Sequence, residues 1–182
     1  ARRDFTINAM ALSINPNTWG ELLDPHGGFE DCKNKVLRVL HSKSFKDDPT
    51  RIFRAIRFKT RLKLNIESST KTLLNNGFPY LRYVSSARIL AEIKKMLFEQ
   101  KKTPVFRESQ NIGLLNALCP SLSISSKVLN LMDKSSDHTE LFYVACISAS
   151  LSGEQAKDLI KRIIPNNTWN KIIYGISNYK NI

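Results

Sequence analysis

The sequence predicts a mainly α-helical protein whose N-terminal portion contains short β-strands. Residues 1–40 have short apolar runs separated by turn-forming stretches such as NPNTWG and DPHGG. This texture is typical of short strands joined by tight turns. From residue 44 onwards the apolar residues recur at helical spacing almost throughout, which predicts an array of helices.

The predicted helices can be taken in chain order. PTRIFRAIRFKTRL, residues 49–62, has a proline suited to the first helical turn. SSARILAEIKKMLFEQ, residues 85–100, has serines in capping positions before its apolar run. TPVFRESQNIG, residues 103–113, ends in glycine, and further amphipathic runs continue to Ile182. SLSISSK, residues 121–127, is predicted to be a loop or a soft linker.

The composition favours a polyanionic partner. The chain has 182 residues, with 28 Lys and Arg against 16 Asp and Glu, and a net charge of +12. Nucleic acid fits this charge better than a membrane does, since no apolar run approaches the roughly 20 residues that span a bilayer. The three cysteines are an odd number without paired spacing, so neither a disulfide framework nor a zinc site is indicated.

The stretch FKDDPTRIFRAIRF, residues 45–58, places two carboxylates just before a series of arginines. If Pro49 begins a helix, Asp48 is its natural N-cap, and this structural role is one interpretation. On a helical wheel Arg51 and Arg54 lie on a face separate from the isoleucines. A guanidinium beside a carboxylate presents donors next to an acceptor. That arrangement complements the edge of cytosine or adenine, whereas uracil and guanine present the opposite order.

Three stretches carry a resemblance to a known family: RRDFTINAMA (residues 2–11), DPHGGFEDCKNKVLR (24–38) and DDPTRIFRAIRF (47–58). In order and spacing they resemble three successive signatures of the class II tRNA nucleotidyltransferases, the CCA-adding enzymes, and of the similar bacterial poly(A) polymerases. A fourth stretch, from LAEIKKMLFEQ to LLNALCPSL, resembles the neck that follows in that family. The resemblance covers roughly residues 1–122.

The resemblance implies a domain organisation and an activity. Residues 1–43 would be the C-terminal part of a nucleotidyltransferase α/β head, residues 44–122 a helical neck with the base-recognition motif, and residues 123–182 a helical body. The implied activity is CCA addition to tRNA from CTP and ATP, with poly(A) addition as the alternative. Two alternatives stay open beside it: a non-catalytic RNA-binding module, and a helical scaffold with a basic surface.

The family's functional residues fall on definite positions of this sequence. Ribose or phosphate binding is implied for Arg2, Arg3, Asp4 and Asn8. A hinge between head and neck is implied for Asp24, Gly27, Gly28 and Asp31. Base recognition without a nucleic-acid template is implied for Asp47, Asp48 and Arg51, with Arg54 and Arg57 as phosphate or scaffold contacts. Asp47 stands where the family usually has glutamate to orient the arginine, so we expect Arg51 to be held less well.

The family's transfer reaction uses two metal ions held by paired carboxylates upstream of the RRD motif, and that segment is not in this sequence. We therefore expect no catalytic and no metal-binding residue in this chain, and no nucleotide addition by these residues alone. The resemblance implies Mg²⁺ as the cofactor of the complete enzyme, tRNA or another RNA 3′ end as partner, and a cytoplasmic or organellar location. The oligomeric state stays open.

Overall fold

The structure is a computed structural model that describes residues 3–120, 122–134 and 139–179. The chain divides into two compact units, Ala1–Tyr80 and Leu81–Ile182. The prediction of a mainly α architecture is confirmed. The predicted domain boundaries after residues 43 and 122 stay predictions. None of the helices in the described part of the chain combines the length and apolar character needed to cross a lipid bilayer.

The first unit contains two small sheets of two strands each. Their strands are β1 (Ala11–Leu12), β2 (Leu22–Leu23), β3 (Val36–Leu37) and β4 (Asn65–Ile66). β1 pairs with β2 in antiparallel fashion, and β3 pairs with β4 in parallel. A single bridge between Phe5 and Val39 joins the N-terminal segment to the chain just after β3. The predicted β-containing N-terminal portion is therefore confirmed.

The helices of the first unit are α1 (Gly28–Lys33), α2 (Ser44–Asp47), α3 (Arg51–Leu62) and α4 (Ser68–Gly77). In α3 the apolar side chains of Ile52, Phe53 and Ile56 are fully buried, as an amphipathic helix at the edge of a core requires. This face of α3 lies against α2 and β3. One face of α3 therefore belongs to the apolar core of the first unit.

All the regular elements described in the second unit are helices, joined by loops. Its helices are α5 (Ser86–Leu97), α6 (Lys102–Asn111), α7 (Leu114–Leu118), α8 (Ser126–Asp133), α9 (Glu140–Ser148), α10 (Gly153–Ile163) and α11 (Asn167–Tyr179). α11 packs on both α9 and α10, and α5 packs on α6 and α10. An apolar cavity among these helices has a volume of only about 30 Å³, so little unfilled space remains there. The predicted helical array is confirmed.

Candidate functional site

The start of α3 is shaped by Asp48. Its Oδ1 accepts hydrogen bonds from the Thr50 N–H at 3.1 Å and from the Thr50 hydroxyl at 2.7 Å. The backbone N–H groups of Arg51 and Ile52 donate to the carbonyls of Asp48 and Pro49. Asp48 therefore closes a tight turn that precedes the helix. Regular α-helix begins at Arg51 with Thr50 at the N-cap position, so the prediction that Pro49 begins the helix with Asp48 as its N-cap is wrong.

Arg51 is buried although the helical wheel places it with the basic residues. Only 6% of the residue is exposed. Its Nε lies 3.5 Å from Oδ1 of Asp4, and its Nη1 donates to the Ser44 carbonyl at 3.3 Å. The guanidinium is thus held between the N-terminal segment and the first residue of α2. A buried charge needs such partners, because burial without them is costly.

The other candidate residues of the DDPTRIFRAIRF stretch differ in exposure. Asp47 is exposed at the last residue of α2. Arg54 is about one third exposed at its side chain, donates from Nε to Oδ2 of Asp4, and places its guanidinium 5.7 Å from the centre of the Phe58 ring. Arg57 is half-buried on the same helix. The structure therefore brings Asp4, Arg51 and Arg54 together, while Asp47 faces solvent.

The residues of the RRD motif do not share one environment. Arg2 lies outside the described residues, and Arg3 is exposed. Asp4 is 7% exposed and contacts the two arginines of α3. The side-chain oxygen of Asn8 accepts from the Phe5 N–H at 3.1 Å, which closes the turn that follows Asp4. The ribose or phosphate role of this set stays a prediction.

The DPHGG motif forms the start of α1. Asp24 accepts from the N–H groups of Gly28 and Phe29, both at 2.8 Å, and the bond from Phe29 is the main reason why the pKa of Asp24 is lowered. Gly27 has φ +69°, a left-handed conformation that glycine adopts without strain. At Gly28 a Cβ would lie 2.2 Å from the Thr6 carbonyl oxygen, so no side chain fits there.

Asp31 ties this element to the N-terminal segment. It is buried, accepts from the Thr6 hydroxyl at 2.7 Å, and pairs with Arg38 Nε at 3.1 Å. The hydrogen bond to Asp31 raises the pKa of Arg38. The hinge role expected for this motif stays a prediction, and its observed contacts hold Thr6 in place.

Sequence reasoning missed the contributions of Phe5, Phe58 and Ser44. Phe5 is fully buried and meets the Phe58 ring edge to face, with 5.7 Å between centroids and 84° between planes. This contact docks the N-terminal segment onto α3. An aromatic residue directly after Asp4 was a usable signal for it. The carbonyl of Ser44 left no signal, because every residue has one.

The described residues do not fit a Mg²⁺ site. They contain no group of three or more His, Cys, Asp or Glu side chains arranged to hold a metal ion. The carboxylates of Asp24 and Asp48 accept from backbone N–H groups, and those of Asp4 and Asp31 face arginines. No step is therefore assigned to a metal on these residues. The site contains the buried arginine Arg51 at the start of α3 and, three residues earlier, the carboxylate of Asp48, which accepts hydrogen bonds from Thr50.

Two family models match the chain. One, described as the poly A polymerase head domain, matches residues 1–38. The other, described as a probable RNA and SrmB-binding site of polymerase A, matches residues 63–125. The first model covers the first two sequence signatures and the second covers the neck-like stretch, while α3 and the third signature lie between the two matches.

Relatives and solved structures agree with these matches. The A-adding tRNA nucleotidyltransferase of Geobacter sulfurreducens is 37% identical over 135 residues, which is 73% of this chain. A solved Thermotoga maritima CCA-adding enzyme complexed with tRNA is 32% identical over 99% of this chain, with a TM-score of 0.82. A CCA-adding enzyme solved with ATP is 31% identical over 99% of this chain, with a TM-score of 0.83.

The chain corresponds to only part of these relatives. It spans 15% of the Geobacter protein, 47% of the Thermotoga chain and 46% of the chain solved with ATP. Over that span the ordered motifs, the family models and the fold agree. The chain belongs to the family of class II tRNA nucleotidyltransferases, the CCA-adding enzymes and the similar bacterial poly(A) polymerases.

Proposed function

We propose that the chain selects the incoming nucleotide, CTP or ATP, for addition to the 3′ end of tRNA. The observation that carries the proposal is the position of Arg51, buried at the start of α3 three residues after Asp48 and held by Asp4 and the Ser44 carbonyl. An arginine fixed in this way presents its N–H donors in one orientation. A nucleobase can be read by a rigid donor and acceptor without a template strand.

In this proposal Arg51 donates to the ring nitrogen of cytosine or adenine, and Asp48 accepts from the exocyclic amino group. Uracil and guanine would set an N–H against the arginine and a carbonyl against the carboxylate. Each polar group left unpaired by such a mismatch costs about 1–3 kcal/mol, which is enough to disfavour UTP and GTP. Asp47, Arg54 and Arg57 would support the base, the phosphates or the scaffold around it.

Ribose and phosphate contacts are proposed for Arg2, Arg3, Asp4 and Asn8, as the family resemblance implies. Mg²⁺ belongs to the proposal as the ion of the transfer step, with no ligand assigned among the described residues. The step assigned to this chain is therefore nucleotide selection. The proposed setting is the cytoplasm or an organelle.

The relatives support the proposed substrates and indicate a second candidate function. One solved CCA-adding enzyme is a complex with ATP and another is a complex with tRNA, which supports nucleotide and tRNA as ligands here. The 37% identical Geobacter relative is named an A-adding enzyme, which favours addition of A alone as the second candidate. Poly(A) addition remains the third, since the head-domain model carries that name.

Nucleotide titrations of the 182-residue chain test the proposal. We expect CTP and ATP to bind more tightly than UTP and GTP by isothermal titration calorimetry. Arg51→Ala should weaken CTP and ATP together, by about tenfold or more, because charge-assisted hydrogen bonds are lost. Preference for ATP alone would select A addition over CCA addition.

The matched control is Arg107→Ala, which removes an arginine of the second unit that is half exposed and pairs with Asp133 at 3.4 Å. It should leave all four nucleotide affinities unchanged. Equal affinity of the wild-type chain for all four nucleotides would overturn the proposal. So would unchanged CTP and ATP binding in the Arg51→Ala variant.

A further inference from the structure

Asp4 stands where one side chain can reach both arginines of α3. Arg51 and Arg54 are three residues apart on the helix and so lie side by side on one face. Oδ1 of Asp4 faces Arg51 Nε at 3.5 Å, and Oδ2 accepts from Arg54 Nε. With Asp4 only 7% exposed, little water competes for these contacts. A single carboxylate therefore holds two guanidinium groups.

The backbone around Asp4 is itself fixed on several sides. Phe5 is fully buried, bridges to Val39, and packs against the Phe58 ring. The Thr6 N–H donates to the Arg38 carbonyl at 3.0 Å, and the Thr6 hydroxyl donates to Asp31. The carboxylate of Asp4 is consequently presented to α3 from a segment that packing and hydrogen bonds hold in place.

Arg51 has a second fixed acceptor on its other side. Its Nη1 donates to the carbonyl of Ser44, which opens α2. Asp47, the residue expected to orient the arginine, lies exposed at the other end of that short helix. The buried carboxylate beside Arg51 Nε comes instead from residue 4.

Building on the proposed function, we propose that Asp4 is the positioning residue for base recognition: it orients the Arg51 guanidinium so that its donors face the nucleobase. An arginine is a planar fork, and its hydrogen bonds to a base edge depend on the orientation of that plane. The Asp4 carboxylate attracts the guanidinium from the Nε side at 3.5 Å, and the Ser44 carbonyl accepts from Nη1 on the other side, so the two together define that plane. Asp4 thus acts on the base through Arg51.

Two other roles for Asp4 make different predictions. If Asp4 acts through the ribose hydroxyl alone, its loss affects all four ribonucleotides equally. If Asp4 only stabilises the fold, its loss lowers the melting temperature and leaves the ratio of nucleotide affinities unchanged. The positioning role changes the ratio of CTP to UTP affinity, with or without a ribose contact of Asp4.

The experiment compares Asp4→Asn with the wild-type 182-residue chain. Asparagine keeps the shape of the side chain and removes its charge. We expect CTP and ATP affinity to fall by about tenfold, as for a lost contact with a charged group, while UTP and GTP affinity falls less. The ratio of CTP to UTP affinity should therefore collapse.

Glu92→Gln is the matched control, because Glu92 is a similarly buried carboxylate that pairs with Lys95 in the second unit, away from the contacts of Asp4. It should lower the melting temperature without changing the CTP to UTP ratio. An unchanged ratio in Asp4→Asn, or an equal loss for all four nucleotides, would overturn the positioning role while a selective wild-type chain still supports the proposed function. If the wild-type chain itself shows no selectivity, the proposed function fails first.

Discussion

Each of the two units contains an arginine that is at least partly buried, Arg51 being buried and Arg162 half-buried, and the two have different partners. In the first unit Arg51 faces the buried carboxylate of Asp4 at 3.5 Å. In the second unit Arg162, on α10, donates to the backbone carbonyls of Leu81 at 2.6 Å and Val84 at 3.2 Å. Neutral carbonyls compensate a buried charge less than a carboxylate does, and burial lowers the pKa of Arg162.

The difference separates a scaffold contact from a site. Arg162 joins α10 to the turn before α5, so both of its carbonyl partners belong to the framework of the second unit. Arg51 is held by residues from two separate segments and stands at the start of a helix, just after the turn that Asp48 closes. We therefore expect losses at Arg162 to appear in stability and losses at Arg51 to appear in nucleotide selection.

The largest effect on stability is expected from Arg162→Met, which keeps most of the apolar stem and removes both hydrogen bonds to the carbonyls. Hydrogen bonds from a charged group contribute about 1.5–3 kcal/mol each, so we expect the free energy of unfolding to fall by about 3 kcal/mol. Urea denaturation measures this free energy. The control is Lys161→Met at the exposed neighbouring residue, which should change the free energy of unfolding little. If Arg162→Met also changed the ratio of CTP to UTP affinity, the expected difference between the roles of Arg162 and Arg51 would be contradicted.

A smaller effect is expected from Gly28→Ala in the first unit. The added Cβ would lie 2.2 Å from the Thr6 carbonyl oxygen, so the backbone must shift. Overpacking of this kind costs about 1–3 kcal/mol. Because Thr6 follows Asp4 closely, we also expect a weaker preference for CTP over UTP. Thermal unfolding and nucleotide titration measure the two effects.

Gly175→Ala is the control for that substitution, since a Cβ at Gly175 in α11 meets nothing within 4 Å. Alanine in a helix interior should raise stability there by up to about 1 kcal/mol. Equal stability of Gly28→Ala and the wild-type chain would mean that the contact between Thr6 and Gly28 does not hold the N-terminal segment.

The smallest effect is expected from Glu67→Ala at the N-cap of α4. The Glu67 carboxylate accepts from the Thr70 N–H at 2.8 Å and from the Ser69 hydroxyl at 2.6 Å, and the bond from Ser69 is the main reason why its pKa falls from 4.5 to about 2. Loss of such a cap costs about 1 kcal/mol at neutral pH. Nucleotide selection should not change, because this cap lies outside the contacts of Asp4.

The pH dependence of that loss follows from the direction of the shift. A carboxylate whose pKa is lowered by folding stabilises the folded state fully above its unfolded value of 4.5, and this contribution disappears as the pH falls towards 2. The difference between wild type and Glu67→Ala should shrink over the same range in urea titrations. Glu67→Gln retains an acceptor, so it should lose less stability at neutral pH and show no such pH dependence.

The helices and the family could be predicted from sequence because both depend on local patterns. α3 covers most of residues 49–62, as its apolar spacing predicts, and α6 closely matches residues 103–113. Asp48 was expected to be the N-cap, but the helix starts two residues later than predicted, with Thr50 at the N-cap, and the Asp48 side chain closes the turn before it. The partners of such a side chain are close neighbours in the chain, so the turn is visible in the sequence although the exact helix boundary is not.

The burial of Arg51 could not be predicted from such local patterns. The helical wheel groups it with the other arginines, but a wheel shows direction around one helix and contains no information on what lies opposite. Asp4 and Arg54 are 50 positions apart in the chain, and their contact exists because Phe5 packs against Phe58 and the Thr6 segment is tied to Asp31. The sequence was sufficient for the helices, the basic charge and the motifs, since these depend on neighbouring residues. The pairing of Asp4 with Arg51 needed the folded chain, because packing between distant segments is what brings the two charges together.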